Sequence, residues 1–263
     1  MAAASHSESA SPIIIFVPGA WHSPTHYALL FDKLKQEGFH TLCEKNPSYD
    51  SRDPENTSVV NDAAAIRNSI VTQLDQGLEV VVIMHSYGGC PGAAAAQGLS
   101  KSERQAAQKP GGVIGLIFIC AFVAKEGDSL VGKLPGGVPE PWMISQSDGT
   151  YRPDNPKAVF YEDVPSPEDS VAISQIRPQA RRSMNTPSSQ PAWRDAAFDG
   201  RRSYLYCLKD KAIPHVAQKA MIEESGVDWD LGTLDCAHSP FLSHPAELST
   251  WIGEQLRSFA AFK

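Results

Sequence analysis

Several features that signal a specialised class of protein are absent from this 263-residue chain. No two of its five cysteines form a CxxC pair, and their number is odd. No cluster of His, Asp and Cys shows the spacing of a metal site, so neither a metal nor another cofactor is predicted. The sequence instead favours free thiols in a reducing compartment. The cysteines are Cys43, Cys90, Cys120, Cys207 and Cys236.

The chain also lacks long basic and long apolar runs. Its 30 acidic residues outnumber its 23 basic ones, and the formal net charge is −7. A field of that sign repels phosphate backbones and anionic lipid, so neither nucleic acid nor a membrane is expected as a partner.

The apolar stretches are too short for insertion into a bilayer. The longest run, Val113–Ala124, cannot span the hydrocarbon layer. Residues 1–11 contain no Lys or Arg, and the apolar stretch Ile13–Val17 ends at Pro18, which is too short for a signal-peptide core. A cytoplasmic protein is therefore predicted, as a monomer or a homodimer.

Apolar strands alternate with amphipathic helices along most of the sequence. Strands apolar on both faces are typical of a mostly parallel sheet covered on both sides, so an α/β fold with about six strands is predicted. The predicted strands are Ile13–Val17, Phe39–Glu44, Leu78–Met84, Val113–Cys120, Ser203–Leu208 and Val227–Leu234. The predicted helices are Pro24–Glu37, Thr57–Leu74, Gly89–Leu99, Val216–Glu224 and Pro245–Phe259.

One long segment departs from this alternation. Residues 125–200 contain no strand-like apolar run, yet they hold ten of the twenty prolines. A loop of that length within one domain is usually functional, for example as a lid. We therefore expect a disordered tail at residues 1–11, a core formed by residues 12–124 and 201–263, and an inserted helical cap at residues 125–200.

Ser86 lies where a buried strand meets a helix of small residues. The sequence from Met84 to Gly89 reads MHSYGG, which resembles the nucleophile elbow G-x-S-x-G of a strand–turn–helix junction. Met84 replaces the first glycine of that motif. A simpler interpretation, in which Ser86 only caps the helix, stays open on this motif alone.

A serine nucleophile needs a base, and the base needs a third group to orient it. His238 and Asp210 each follow a predicted strand, so both are expected at the same edge of a parallel sheet as Ser86. The chain order Ser, Asp, His is that of α/β-hydrolases. His244 is the weaker candidate for the base, and Asp235 is the alternative orienting acid.

Two backbone N–H groups are candidates for an oxyanion hole. Tyr87 follows Ser86, and Ala20 lies in the loop Pro18–His22 after the first strand. Gly19 permits close approach of the backbone there. These donors would stabilise the tetrahedral oxyanion formed in ester hydrolysis.

The motifs together resemble a small group of α/β-hydrolases that contains plant methylesterases and hydroxynitrile lyases. The resemblance is carried by the oxyanion loop FVPGAW, the elbow HSYGG, the acid loop DKAIP and the histidine loop AHSPFLS. In that group, cyanide-releasing members have a Lys directly after the catalytic His and a Thr in the oxyanion loop. Ser239 and Gly19 occupy those places here, which argues against a hydroxynitrile lyase.

The resemblance implies a serine esterase or lactonase with catalytic residues Ser86, Asp210 and His238, acting on a small-molecule ester or lactone without a cofactor. Two other functions are kept open: a ligand receptor that retains the triad, and a non-hydrolytic enzyme such as a C–C lyase, cyclase or isomerase. Seven residues are candidates for contact with substrate: Gly19, Trp21, His22, Trp142, Met143, Phe160 and Phe241.

Overall fold

The computed structural model describes residues 11–261 of the protein. The predicted disordered tail lies outside the described residues except for Ser11. Within the described range there are nine strands. They are β1 (Ile13–Val17), β2 (His40–Cys43), β3 (Glu79–His85), β4 (Gly112–Ile119), β5 (Met143–Ser145), β6 (Thr150–Pro153), β7 (Gln179–Ala180), β8 (Arg202–Cys207) and β9 (Asp230–Leu234).

Six of these strands form one parallel sheet in the order β2-β1-β3-β4-β8-β9. The mostly parallel α/β sheet predicted from the sequence is thus confirmed, with strand ends displaced by three residues at most. Because all six strands run the same way, their carboxyl ends meet at one edge of the sheet.

Eleven α-helices are present in the described part of the chain, and several are single turns. They are α1 (Ala28–Gln36), α2 (Val59–Leu74), α3 (Gly89–Ala95), α4 (Lys101–Ala106), α5 (Leu130–Lys133), α6 (Pro156–Phe160), α7 (Glu168–Gln175), α8 (Arg181–Asn185), α9 (His215–Ser225), α10 (Pro240–Ser243) and α11 (Pro245–Ala261).

Two predicted helices differ from the observed ones by more than two residues at one end. The segment predicted as Pro24–Glu37 starts with a 3-10 turn at Pro24–Tyr27, and the one predicted to reach Leu99 ends at Ala95. Helix α4 is not among the predicted helices. Its signal was a capping box, in which Ser100 and Glu103 satisfy each other's backbone N–H groups.

The sheet separates two apolar layers. Side chains alternate along each strand, so Ile15 and Val17 face one layer while Ile14 and Phe16 face the other. Helices α1 and α11 cover the second face. The first face is covered by α2, α3 and part of the segment between β4 and β8. No helix within residues 11–261 is long and apolar enough to cross a membrane.

Residues 120–201, which connect β4 to β8, form the inserted segment. The sequence predicts a helical cap here. The segment does contain four short α-helices, but it also contains strands. Strands β5, β6 and β7 form a separate antiparallel sheet within it. These strands have two to four residues each and mixed polarity, so they leave no periodic pattern in the sequence.

Candidate active site

Ser86 directly follows β3 at the carboxyl edge of the sheet. Its φ is 55°, in the left-handed region that a non-glycine residue adopts only when its surroundings hold it there. A 3-10 turn over Ser86–Gly88 leads into α3. A Cβ atom on Gly88 would lie 2.6 Å from the carbonyl oxygen of Val17, so only glycine allows this turn to pack against β1.

The structure explains how the turn accommodates Met84 in place of the usual glycine. Met84 is fully buried. A Cβ on Gly92, one helical turn into α3, would lie 2.6 Å from Met84 Cγ. The space for the methionine side chain therefore comes from Gly92. The elbow keeps its close packing with the glycine at a different position.

His238 and Asp210 lie next to Ser86 and form a continuous chain of hydrogen bonds with it. His238 Nδ1 is 2.7 Å from Asp210 Oδ2, and His238 Nε2 is 2.9 Å from Ser86 Oγ. An ionised carboxylate can only accept, so His238 donates from Nδ1 and its Nε2 is left to accept the Ser86 hydroxyl proton. His238 is 1% exposed and Asp210 is 5% exposed. This geometry is that of a base held in one tautomer beside a hydroxyl.

Asp210 is held by groups that follow it in the chain. The N–H groups of Ala212 and Ile213 donate to its Oδ1 at 2.8 and 2.9 Å. Gln218 on α9 donates from Nε2 to Oδ2 at 3.3 Å and to the carbonyl of Ile213 at 2.7 Å. The amide oxygen of Gln218 accepts from the N–H of Cys207 at 3.2 Å. Gln218 therefore ties the acid loop to β8, a role that its position on a predicted helix did not reveal.

The two alternative residues lie elsewhere. Asp235 is largely exposed and forms an ion pair with Lys209 at 2.7 Å. His244 is partly exposed and lies 3.9 Å from Asp163. Neither forms a hydrogen bond with His238 or Ser86 in the described residues.

His85 connects the loop of the base to the oxyanion loop beneath Ser86. Its Nε2 donates to the carbonyl oxygen of His238 at 3.0 Å. Its Nδ1 then accepts from the Tyr27 hydroxyl at 2.9 Å, and that hydroxyl accepts from the N–H of Gly19 at 2.9 Å. Burial lowers the pKa of His85 well below its ordinary value, and the nearby His238 lowers it further. The ring is therefore neutral, as this pattern of bonds requires.

Ala20 and Tyr87 carry the two backbone N–H groups that the sequence predicts as oxyanion donors. Both residues line the cavity beside Ser86 and are almost fully buried. Within residues 11–261, neither N–H group is used in a hydrogen bond to another protein group. Two buried donors without a protein acceptor, in residues that line the same cavity as Ser86, fit the requirement of an oxyanion.

A buried carboxylate links Tyr87 to the inserted segment. The Tyr87 hydroxyl donates to Asp62 Oδ2 at 2.5 Å, and Ser48 donates to Asp62 from both its N–H and its hydroxyl. Gln179 on β7 donates to Ser48 Oγ at 2.5 Å and accepts from the N–H of Trp21 at 3.2 Å. One chain of bonds thus joins the side chain that follows the nucleophile to the residue that follows Ala20.

Asp62 is ionised at neutral pH although it lies in the interior. Burial raises its pKa to about 6, and hydrogen bonds from Ser48 and Tyr87 oppose that rise. All three donors point at the carboxylate, which accepts without offering a proton of its own. The sequence showed Asp62 only as an acidic residue in the first turn of a helix.

The cavity beside Ser86 is small and almost entirely apolar. Its volume is about 20 Å³. Four of the seven predicted substrate contacts lie on its wall, namely Trp21, Trp142, Met143 and Phe160. The other residues that line it are Ala20, Ser86, Tyr87, Phe122, Leu130, Leu134, Ala212 and Ile213.

His22 was predicted as a substrate contact but does not line this cavity. It is 1% exposed, and both of its ring nitrogens have partners. Nδ1 donates to the carbonyl of Ala20 at 2.6 Å, and Nε2 accepts from the Tyr161 hydroxyl at 2.8 Å. His22 therefore braces the oxyanion loop against the inserted segment, which leaves it no free group for a ligand.

Phe241 and Gly19 also lie outside the cavity wall. The Phe241 ring packs beneath the elbow, with centroids 4.3 Å from Tyr27 and 5.0 Å from His85. Gly19 is closed in by His85, because a Cβ there would lie 2.8 Å from the ring nitrogen Nδ1. Both residues support the loops of the site from the core side.

His85, Cys120 and His238 place potential metal-ligand atoms within 4.8 Å of one another. The imidazole nitrogens in this group already have partners in the hydrogen bonds described above. Burial raises the pKa of the Cys120 thiol to about 12, which disfavours the thiolate that a metal would need. Hydrogen bonding around the base accounts for the cluster.

Comparison with known proteins relates this geometry to a family. A family model described as the alpha/beta hydrolase family matches residues 14–251. The protein "Alpha/beta hydrolase nvfD" of Aspergillus novofumigatus is 30% identical over 237 residues, which cover 89% of this chain and 92% of the relative. "Probable hydrolase R7" of a Phoma species is 26% identical over 253 residues, covering 92% and 97% of the two chains.

Solved structures share the fold at lower identity. A pyrethroid hydrolase from Sphingobium faniae superposes with a TM-score of 0.74 at 19% identity, covering 95% of this chain and 99% of that one. The methylesterase MES16 from Arabidopsis gives a TM-score of 0.69 at 17% identity, with 94% and 99% covered. A polyneuridine aldehyde esterase gives 0.73 at 15% identity, with 93% and 98% covered.

Proposed function

The chain belongs to the alpha/beta hydrolase family, and from that premise we propose that it is a serine hydrolase that cleaves a carboxylic ester or lactone of a small organic molecule. The observation that carries the proposal is the unbroken chain from Ser86 through His238 to Asp210, with bonds of 2.9 and 2.7 Å. Such a chain is the geometric signature of an activated serine.

In the proposed mechanism, Ser86 Oγ attacks the substrate carbonyl while its proton moves to His238 Nε2. The Asp210 carboxylate stabilises the imidazolium that forms. The carbonyl oxygen becomes an oxyanion between the N–H groups of Ala20 and Tyr87. Collapse of this intermediate breaks the bond to the leaving oxygen, which takes the proton from His238.

The acyl-enzyme is then hydrolysed by the same groups. Water gives a proton to His238 and attacks the acyl carbonyl, and the Ser86 oxygen leaves with that proton. A carboxylic acid is released and the free enzyme is restored.

Two further observations support an ester as the substrate. The cavity wall beside Ser86 carries no charged side chain, which suits a neutral apolar molecule. Two of the proteins with the same fold are named as a methylesterase and a polyneuridine aldehyde esterase. We also propose that the inserted segment serves as the cap of this site, because it contributes several of the cavity-lining aromatic residues.

The site makes a direct prediction for Ser86→Ala. Turnover of ester substrates is expected to fall about 10⁴-fold or more, since the nucleophile is removed while the fold is kept. A fluorophosphonate probe should label the unmodified protein at Ser86, as located by mass spectrometry of its peptides.

Ser203→Ala provides a matched control. Ser203 on β8 is also buried, and its hydroxyl donates to Gln255 on α11 at 2.7 Å rather than to a residue of the site. This variant should keep its labelling and its turnover. Undiminished hydrolysis in a folded Ser86→Ala protein would refute the proposal. If labelled water leaves no oxygen in the product, the reaction is instead that of a lyase, cyclase or isomerase.

The cytoplasmic location also remains a proposal. All five cysteines are free in the structure, and four of them are buried. Unpaired thiols of this kind are typical of a reducing compartment.

A further inference from the structure

The cavity beside Ser86 cannot hold a complete ester as it stands. A volume of about 20 Å³ corresponds to about one or two water-sized probes. Any substrate that reaches the hydroxyl must therefore occupy additional space, and the structure shows where that space lies.

A second cavity of about 230 Å³ adjoins the first. The two cavities have four wall residues in common, so they are separated by a single layer of side chains. The common residues are Phe122, Leu134, Ala212 and Ile213.

Three of these four residues are held in place by hydrogen bonds to Ser86 or Asp210. The N–H of Phe122 donates to the carbonyl of Ser86 at 3.0 Å. The N–H groups of Ala212 and Ile213 hold the Asp210 carboxylate. Movement of any of them would disturb the nucleophile or the acid.

Leu134 has no such tie to the catalytic groups. It lies at the end of the one-turn helix α5 and is followed by Gly136 and Gly137, whose φ values are 71° and 67°. Its side chain is partly exposed. Leu134 is therefore the part of the dividing wall that can move without displacing the catalytic groups.

The second cavity has a mostly apolar wall with a few charges at its rim. Much of the wall comes from helix α9 and the proline just before it. The residues are Pro214, Val216, Ala217, Ala220 and Met221. At the rim, Lys133 forms an ion pair with Glu224 at 3.0 Å, and Glu140 lies nearby on the same wall. Among the described residues, Lys133 is the only lysine on this wall, and it is already paired with Glu224. The rim therefore disfavours a negatively charged ligand.

We propose that the two cavities form one binding site divided by Leu134, and that its substrate is a neutral ester with one bulky apolar arm in the second cavity. The carbonyl end, with the smaller arm, lies beside Ser86. This inference rests on the proposed esterase function and adds to it the size, polarity and position of the larger arm.

Filling the second cavity tests this inference. Ala220 on α9 is exposed and lines the cavity, so Ala220→Trp should block it without disturbing the core. Lys219→Trp is the matched control, because it places the same side chain on the neighbouring exposed residue, which does not line the cavity. Ala217→Phe serves as a second blocking variant.

The substrates are two series of neutral esters. In one, the acyl group of p-nitrophenyl esters grows from acetyl to octanoyl. In the other, the alcohol of acetate esters grows from methyl to naphthyl. One of the two series will place its growing group in the second cavity. In that series, we expect kcat/KM of the Ala220→Trp protein for the largest ester to fall at least about 10-fold, while kcat/KM for the smallest ester stays unchanged. Leu134→Ala should raise kcat/KM for the same large ester several-fold.

The outcomes separate this inference from the proposed function. If the unmodified protein hydrolyses no ester and takes no fluorophosphonate label at Ser86, the proposed function fails. If it hydrolyses both series, but both blocking variants affect large and small esters equally or not at all, the divided site is wrong. A loss in Lys219→Trp equal to that in Ala220→Trp would overturn it as well.

Discussion

The two sides of Ser86 are built in different ways. On the acid–base side, Asp210 and His238 follow neighbouring strands of the sheet, and the Asp210 carboxylate is held by groups that follow it closely in the chain. On the side of the proposed oxyanion hole, Tyr87 and Trp21, which follows Ala20, bond to side chains from distant parts of the chain. The bond from the Trp21 N–H to Gln179 joins residues 158 positions apart.

This difference separates what the sheet provides from what the inserted segment provides. The parallel sheet brings the ends of its strands together, so the acid and the base are placed by topology. The loop around Ala20, with a φ of 62° at Trp21, has partners in the inserted segment: Trp21 donates to Gln179 and to the carbonyl of Tyr151. The insertion also reaches the acid–base side, where Asp163 accepts from the N–H of Ala237 at 2.8 Å.

The largest effect we expect is on the acid–base side, for Asp210→Asn. The amide cannot hold the required tautomer of His238, so kcat should fall about 10³- to 10⁴-fold with little change in fold. Steady-state hydrolysis of p-nitrophenyl acetate measures the loss.

Asp235→Asn is the matched control for this prediction. It removes the alternative carboxylate, whose exposed ion pair with Lys209 is screened by solvent and contributes little to stability. Its turnover should be that of the unmodified enzyme. If activity were lost only in Asp235→Asn, the orienting acid would be Asp235, and the role proposed for Asp210 would be wrong.

A smaller loss of activity is expected on the oxyanion side, for Asp62→Asn. Removing an oxyanion donor itself lowers kcat about 10²- to 10³-fold, and displacing one indirectly should lower it about 10- to 10²-fold. Because Asp62 does not touch the substrate, KM should change little. Steady-state kinetics that separate kcat from KM provide the measurement.

Ser203→Ala is also the control for Asp62→Asn. It separates a loss of activity caused by a displaced N–H donor from a loss caused by lower stability of the whole protein. It removes a buried hydrogen bond to Gln255 that has no part in the site, so it should leave kcat unchanged even where the thermal midpoint falls. Equal losses of kcat in the two variants would show that the Asp62 network has no special connection to the oxyanion hole.

The pH dependence of stability offers a third and more graded test of the oxyanion side. Folding raises the pKa of Asp62 from 3.8 to about 6, so the folded state binds this proton more tightly than the unfolded state does. The contribution of Asp62 to the free energy of unfolding is therefore greatest below about pH 4. It decreases as the pH rises towards 6, by about 3 kcal/mol for a difference of about two in pKa.

Urea unfolding of the unmodified protein and of Asp62→Asn between pH 4 and 7 measures this contribution. The difference in unfolding free energy between the two proteins should shift against the unmodified protein as the pH rises, and then level off above about pH 6. Tyr87, whose pKa burial raises well above its ordinary value, does not titrate in this window. A difference that is constant with pH would contradict the raised pKa.

The sequence predicts the acid–base side better than the oxyanion side for a physical reason. Ser86, Asp210 and His238 each follow a strand, and strands have a local apolar pattern that fixes their order and direction. The alternation of strands and helices likewise predicts the sheet. The boundary residues are less certain because helix ends depend on caps and packing.

The partners of the oxyanion side leave no local pattern. Asp62 and Gln179 are polar residues in an ordinary helix and in a strand of two residues, and only tertiary contact brings them together. His22 resembles a substrate contact in sequence because it lies in the predicted oxyanion loop. Its burial between Ala20 and Tyr161 becomes visible only in three dimensions. The antiparallel strands of the inserted segment are also not predicted, because strands of two to four residues leave no periodic pattern in the sequence.

The pairing of Met84 with Gly92 has a consequence for how this elbow can change. Glycine at position 84 alone would leave a void below the turn, and a larger residue at position 92 alone would collide with Met84. The two positions are thus coupled, and each tolerates replacement only together with the other. A motif search that scores the residues around a serine one at a time will rank this elbow too low, because the missing glycine is eight positions further along the chain.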